Sequence, residues 1–263
     1  MPRTEDTPER TVMNAIFVVG TGRSGTHFLV RLLAGFEHAH DPFGGRESEA
    51  ILQDVARAAL HHRMPSQETE THYGDTIRTD GPVLIDQHHP NLFFADHWAD
   101  TLDDPVFLYP LRPARQIVAS MFRHKGVRSW YAYARRRFLS LSDRLPYPNR
   151  FLGTDSYWEV ETTPLHMLCT QRILAHHRMV LKQKAALGDR LRIVAYDALV
   201  GDPEAEFARV FTDAERARLG AFTLVETPNP ASLDKYLDVL TVEQVAEIDA
   251  AEAKTYAEVA THL

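Results

Sequence analysis

Four apolar residues, Ile16-Phe17-Val18-Val19, run straight into Gly20-Thr21-Gly22-Arg23-Ser24-Gly25-Thr26-His27, and this junction constrains the fold more than any other stretch of the chain. An unbroken apolar run of that length suits a strand buried on both faces, as in a parallel sheet. Three glycines then let the backbone turn while its N–H groups converge on an anion, and a helix opening near Thr26 points its positive end at the same place. A Walker A loop would carry a lysine followed by Ser or Thr to hold magnesium. This loop has no lysine; it offers Arg23, whose planar fork matches phosphate oxygens, with the hydroxyls of Ser24 and Thr26 beside it. The pattern predicts a phosphate ester held without an obligatory metal. The plainer alternative is a glycine turn between strand and helix with no ligand at all.

Composition narrows the function classes. At 263 residues, 44% hydrophobic and 25% charged, the chain is long enough for one substantial core. A formal net charge of -7 argues against a nucleic-acid partner, which needs a basic surface. The single cysteine, Cys169, excludes an internal disulfide and fits a reducing compartment; at helical spacing with Leu165, Leu168 and Ile173 it reads as packing, not as a nucleophile. Residues 1–14 are polar and charged, expected as a disordered leader before a single domain over 15–263. No window suits a membrane span, so a cytoplasmic protein without stable membrane anchoring is expected. The histidine pairs His61-His62, His88-His89 and His176-His177 are adjacent in sequence, so their side chains diverge and make poor chelates; no metal is expected.

Along the chain, helical spacing predicts helices from Thr26 to Gly35, Glu47 to His62, Pro164 to Leu187 and Pro203 to Phe211, with a last helix opened by the capping-box pattern Thr241-Val242-Glu243-Gln244. Strands are predicted at 16–20, Val83–Gln87, Val106–Tyr109 and Leu191–Tyr196, with a helix following Pro113. Residues 65–80 read as polar and irregular. Residues 123–163 show no clear period but concentrate aromatic residues around Arg135-Arg136-Arg137, and read as an insertion on the acceptor side. Strands alternating with helices imply a mostly parallel sheet covered on both faces.

The run Leu108-Tyr109-Pro110-Leu111-Arg112-Pro113-Ala114-Arg115-Gln116-Ile117-Val118-Ala119-Ser120 puts an arginine at a strand end and a serine eight residues later on the next helix. With the glycine loop, this pair closely resembles the sulfotransferases that use 3′-phosphoadenosine 5′-phosphosulfate (PAPS). The segment Tyr196-Asp197-Ala198-Leu199 resembles that family's Tyr-Glu-Asp-Leu segment, and Ser232-Leu233-Asp234-Lys235-Tyr236 resembles a cofactor-covering segment of bacterial members. The resemblance implies a three-layer α/β sandwich with a central, mostly parallel sheet of the P-loop nucleoside-triphosphate-hydrolase-like kind. It also implies transfer of a sulfuryl group from PAPS to a hydroxyl, less often an amine, of a small metabolite, lipid or carbohydrate, with 3′-phosphoadenosine 5′-phosphate (PAP) released and no metal required. On this resemblance Gly22, Arg23, Ser24, Gly25, Thr26 and the backbone of His27 hold the 5′ end, Arg112 and Ser120 the 3′-phosphate, and Tyr196 the adenosine, with Lys235 in the covering segment; Arg23 also steadies the departing phosphate.

Two residues compete as the base. His88, two residues before Pro90 at a strand end, sits where the family's cytosolic branch has its histidine, although the lysine usual two residues earlier is Asp86 here. Glu47, in the loop after the first helix, matches the acid of other branches. His88 is preferred, with Glu47 orienting the acceptor. The 123–163 segment reads either as a lid whose arginines draw in an acidic acceptor, as a solvated basic face over ordinary core aromatics, or as an interface that would make a homodimer. Two other functions fit the loop less well: a P-loop small-molecule kinase using ATP, and a degenerate nucleotide-binding protein without a base.

Overall fold

The apolar run of the opening strand is buried along its whole length because it lies in the middle of a five-stranded sheet. The computed structural model describes residues 13–44, 46–77, 81–136 and 144–263, with side chains except that of Arg136. Its strands are β1 (Ala15–Val18), β2 (Ala39–His40), β3 (Val83–Asp86), β4 (Pro105–Leu111) and β5 (Leu191–Ala195), all parallel, in the spatial order β2-β3-β1-β4-β5. Helices α1 (Thr26–Leu33), α2 (Glu49–Leu60), α3 (Gln67–Thr76), α4 (Ala95–Thr101), α5 (Ala114–Arg123), α6 (Lys125–Arg136) and α7 (Tyr157–Thr162) fill the connections up to β5 together with the long α8 (Leu165–Leu187). After β5 come α9 (Tyr196–Gly201), α10 (Pro203–Val210), α11 (Asp213–Leu219) and α12 (Val242–Ala260).

The two-residue period of the strands divides the core into two layers. Phe17, Val19, Phe107 and Tyr109 face one side, against Tyr73, Trp98 and Val180. Ile16, Val18, Val106 and Leu108 face the other, against Leu29, Leu33 and Phe207. The expected α/β architecture is therefore present, and the sheet is parallel throughout. Of the expected leader, residues 1–12 lie outside the described residues, while Met13 and Asn14 are buried and the Asn14 N–H donates to the Asp104 carbonyl at 3.4 Å.

Several elements differ from the sequence reading. The segment expected to be irregular contains α3, which starts because Ser66 caps it: the Ser66 hydroxyl accepts from the Thr69 N–H and itself donates to Asp54. Strand β2 has only two residues and offers no pattern to read. The segment without clear period contains α6 and α7, and α6 buries Tyr131 and Ala134 on one face while leaving Tyr133 half exposed. Among the described residues no helix is long and apolar enough to cross a membrane, and no group of three His, Cys, Asp or Glu side chains is placed to hold a metal.

Helix α12 closes the molecule by supplying a cap to another helix. Both oxygens of the buried Glu252 accept from the Ala114 N–H, at 2.9 and 2.8 Å, where α5 begins. Burial pushes this carboxyl up to about 7 from its ordinary 4.5, with the Ala114 bond working against the rise. Between those two values the folded protein holds a proton that the unfolded chain has already given up, so this group's contribution to stability falls as pH rises from about 4.5 to 7. Each pH unit is worth about 1.4 kcal/mol, which sets a limit of about 3 kcal/mol. Urea denaturation of wild type and Glu252→Gln at pH 5 and pH 8 should show the variant gaining relative to wild type at the higher pH. Equal pH dependence of the two would rule this out.

Candidate active site

From β1 the chain winds one way to β3 and β2 and the other way to β4 and β5, so the order reverses at the carboxyl end of β1. A crevice opens at such a point. The glycine loop occupies it. Gly25, at φ 106°, forms the amino end of α1 with no side-chain cap, which leaves the first N–H groups of that helix for a ligand. A Cβ at Gly25 would overlap the Tyr196 ring, so glycine is required there both by backbone and by packing. Arg23 takes the left-handed conformation at φ 79°, uncommon for a residue with a side chain. Its Nε donates to the Ser120 hydroxyl at 3.2 Å. Ser24 is fully buried and its hydroxyl has no hydrogen-bond partner among the described residues.

Arg112 emerges from the carboxyl end of β4 and is 8% exposed. Its Nε donates to Gln116 Oε1 at 2.8 Å, its Nη2 donates to the Ser232 carbonyl at 3.3 Å, and its guanidinium lies 4.4 Å from the centre of the Tyr196 ring. Burial lowers its pKa, yet guanidinium stays charged. Arg23, Arg112, Arg123, Ser120, Tyr196 and Lys235 share the lining of one cavity of about 310 Å³. Five of these were singled out from the sequence for cofactor binding; Arg123 is additional and pairs with Asp238 at 3.8 Å. A larger cavity, about 690 Å³, opens at the amino ends of β4 and β5. Its arginines are already committed, Arg192 to Glu215 and Arg209 to Glu206, both at 2.6 Å, and Arg190 to the Ala99 carbonyl at 2.9 Å.

The glycine loop has a second neighbourhood, which holds the titratable groups. His88 is fully buried, its Nδ1 lies 2.5 Å from Asp86 Oδ1, and its Nε2 accepts from the Ser48 N–H at 2.9 Å. With both ring nitrogens engaged and no exposure, His88 offers no free lone pair in this arrangement, unlike the base expected from the sequence. His89 takes a different course. Its Nδ1 lies 3.0 Å from Glu47 Oε1, and its Nε2 faces Gly22, where a Cβ would come within 3.2 Å of it. Glu47 also meets His27 Nε2 at 3.5 Å, so the His27 side chain, expected to contribute only backbone, joins the cluster.

Burial alone would raise the Glu47 carboxyl, but hydrogen bonds and charge from His27 and His89 outweigh it and hold it well below the usual carboxylate range. An ionised Glu47 can only accept, so His89 donates Nδ1–H to it and keeps the Nε2 lone pair toward the loop. For His89, burial lowers the pKa first; Glu47 works upward, Arg172 and His27 downward, and the balance lies below 6.5. The imidazole is therefore neutral at pH 7. Sequence reasoning missed His89 because it cannot tell which of two adjacent histidines turns toward the loop.

No protein-family model and no curated protein matches this chain. Solved structures do. A sulfotransferase from Alicyclobacillus acidocaldarius superposes with a TM-score of 0.56 at 16% identity, over 95% of this chain and 94% of that one. A sulfotransferase domain from the curacin biosynthetic pathway gives 0.54 at 11% identity, over 93% and 99%. This chain has the sulfotransferase fold. On that fold, the cavity beside the glycine loop is lined by Arg23, Arg112, Ser120, Tyr196 and Lys235, residues that the sequence motifs single out.

The two histidines separate in a stability measurement. His88→Ala removes a buried partner of Asp86 and leaves the Ser48 N–H unpaired, and should cost roughly 2–4 kcal/mol in chemical denaturation. His89→Ala should cost about 1 kcal/mol or less by the same measure. The reverse order would overturn the assignment of His88 to the scaffold.

Proposed function

We propose that this protein transfers a sulfuryl group from PAPS to a hydroxyl of a small acceptor, with His89 as the general base. The observation that carries this reading is the Arg23–Ser120 hydrogen bond, which ties the glycine loop to the Arg112–Ser120 segment around one cationic cavity. The residues present fit the cofactor: the Ser24 hydroxyl is buried and unpartnered, glycine at 25 keeps the loop open, and Arg112 and Lys235 bring cations to the other end. In this reading Arg23, Ser24 and the N–H groups of Gly25, Thr26 and His27 hold the 5′-phosphate, while Arg112 and Ser120 hold the 3′-phosphate. Tyr196 supports Arg112 from below and borders the adenosine.

When bound, the cofactor supplies an activated sulfuryl group and a phosphate that departs with negative charge. The protein's part is positional and electrostatic. His89 Nε2 takes the proton of the attacking hydroxyl at the edge of the loop, beside Gly22. Glu47 holds His89 in the right tautomer and stabilises the imidazolium that forms, the role a buried carboxylate plays behind a catalytic histidine. Glu47 itself is too weak a base for the proton, because its pKa is so far depressed. Arg23 and the amino end of α1 face the charge that builds on the leaving phosphate.

Calorimetry without magnesium should show PAP binding far tighter than AMP. Arg112→Ala should weaken PAP by about a hundredfold and leave AMP nearly unchanged, since charge-assisted bonds to a buried arginine are worth roughly 1.5–3 kcal/mol each. Equal affinity of wild type for PAP and AMP would remove the 3′-phosphate clamp. His89→Ala should lower kcat by roughly 10²–10⁴ with PAP binding intact. In wild type, kcat/KM should rise with pH through a value below 6.5 and then level off, because the neutral imidazole is the active form; activity falling over that range would exclude His89 as base.

A further inference from the structure

His89 borders a second group of side chains, drawn from α6, α8 and the turn that follows β3. Phe93, four residues after His89, packs against Phe151 with ring centres 5.3 Å apart. Over the other part of Phe151 lies Arg172 of α8, its guanidinium carbon 4.6 Å from the ring centre. Arg172 Nε is buried and has no hydrogen-bond partner, and among the described residues Arg172 enters no ion pair. Beside it, within hydrogen-bonding reach of the guanidinium, is the hydroxyl of Tyr131, a residue 2% exposed. The charge of Arg172 is felt at His89, His176, Cys169 and Tyr131, which places it among these side chains.

The arginines expected from the sequence to attract an acidic acceptor do not fill that role. Arg135 spends its Nε on the Val160 carbonyl at 3.1 Å and its Nη2 on the Thr163 carbonyl, tying α6 to the end of α7. The side chain of Arg136, and Arg137, lie outside the described residues. Arg115, Arg192 and Arg209 each hold a carboxylate. Arg172 differs from them in holding no carboxylate among the described residues: its guanidinium, with the inner nitrogen desolvated, is laid on an aromatic face next to the buried Tyr131 hydroxyl.

We infer that Arg172 is an acceptor-binding residue which, with the Tyr131 hydroxyl, selects hydroxylated acceptors that carry an anionic oxygen group, a carboxylate or a phosphate. The assignment of the attacking hydroxyl to His89 rests on the sulfuryl-transfer reading above; the anion site does not. Desolvating a charge without a counter-ion is costly, and an arriving oxyanion repays it by accepting from Arg172 Nε and Tyr131 at once. An acceptor that bonds there and presents its hydroxyl to His89 Nε2 must carry both groups within one small molecule. A neutral acceptor leaves the Arg172 charge without a counter-ion, which is how a site rejects the analogue lacking a group it is built to bond.

The test is binding, so it needs no turnover. Matched sets of hydroxy acids, their methyl esters and the corresponding hydroxyalkyl and hydroxyaryl phosphates are screened by thermal shift and calorimetry, with and without PAP. Wild type should prefer anionic members over their esters by roughly tenfold or more, and Arg172→Gln should lose that preference while melting within a few degrees of wild type. Arg172→Lys should retain part of it, which guards against a folding defect in the first variant. Tighter binding of carboxylates than phosphates, or the reverse, identifies which oxyanion the site takes. Esters binding as well as acids, no anionic member binding, or a preference that survives in Arg172→Gln would each overturn the inference. An acid preference in protein that binds no PAP would support the anion site and overturn only the cofactor reading.

Discussion

The arrangement around the glycine loop depends on one buried carboxylate. Asp86, at the end of β3, is 2% exposed and accepts from the Tyr73 hydroxyl at 2.9 Å, the Asn91 side chain at 3.0 Å, the His88 N–H at 3.0 Å and the His88 ring at 2.5 Å. A carboxyl group in a dry interior is tolerable only when its hydrogen-bonding positions are filled in this way. Asn91 is in turn fixed by the Trp98 indole N–H at 3.0 Å. The network pins the chain where it leaves the sheet, so the backbone at His88 and His89 has little freedom. His88, held by Asp86, passes the constraint on through its Nε2 to the Ser48 N–H, and thereby places the preceding Glu47. Glu47 then meets His89. A structural carboxylate and a structural histidine thus decide which neighbouring pair faces the ligand.

The other half of the site is built on contact between glycine and tyrosine. Because residue 25 has no side chain, the Tyr196 ring can lie against the loop, and Arg112 can lie on Tyr196. Gln116 and the Ser232 carbonyl then aim the guanidinium, while Arg23 reaches across to Ser120. Four segments far apart in sequence are joined by side chains that would otherwise be free to move. Preorganisation of this kind lowers the cost of ordering cations around a polyanion.

Much of the glycine-loop and Arg112 side of the site is legible in the sequence, because it is written in local patterns. An apolar run before glycines, and an arginine and serine eight apart across a strand end, each describe one turn of chain whose geometry hardly depends on the rest. The parallel sheet follows from the same patterns, except for β2, whose two residues are too few to show a period. Helix α3 escaped because its sequence, Gln67-Glu68-Thr69-Glu70-Thr71-His72-Tyr73-Gly74-Asp75-Thr76, buries only Thr69 and Tyr73 and so has almost no apolar stripe; its cap and tertiary contacts make it. The side that holds His88 and His89 was the least legible. Whether His88 or His89 turns to the loop is fixed by Asp86, Tyr73 and Asn91, and only the folded chain brings those together.

The charges around His89 are balanced rather than simply favourable to a base. Glu47 alone would draw a proton onto the ring and make it useless as an acceptor at neutral pH; burial, His27 and Arg172 oppose that pull and keep it neutral. The opposition has a consequence for timing. If an oxyanion of the acceptor sits on Arg172, it cancels part of the positive charge that His89 feels, and the proton affinity of Nε2 rises as the attacking hydroxyl arrives. The ring is then neutral before the acceptor binds and a stronger base once it has bound. A neutral acceptor leaves the full charge of Arg172 in place and meets a weaker base. Selection of the acceptor and activation of its hydroxyl would in this way be two effects of the same guanidinium, acting in the same direction.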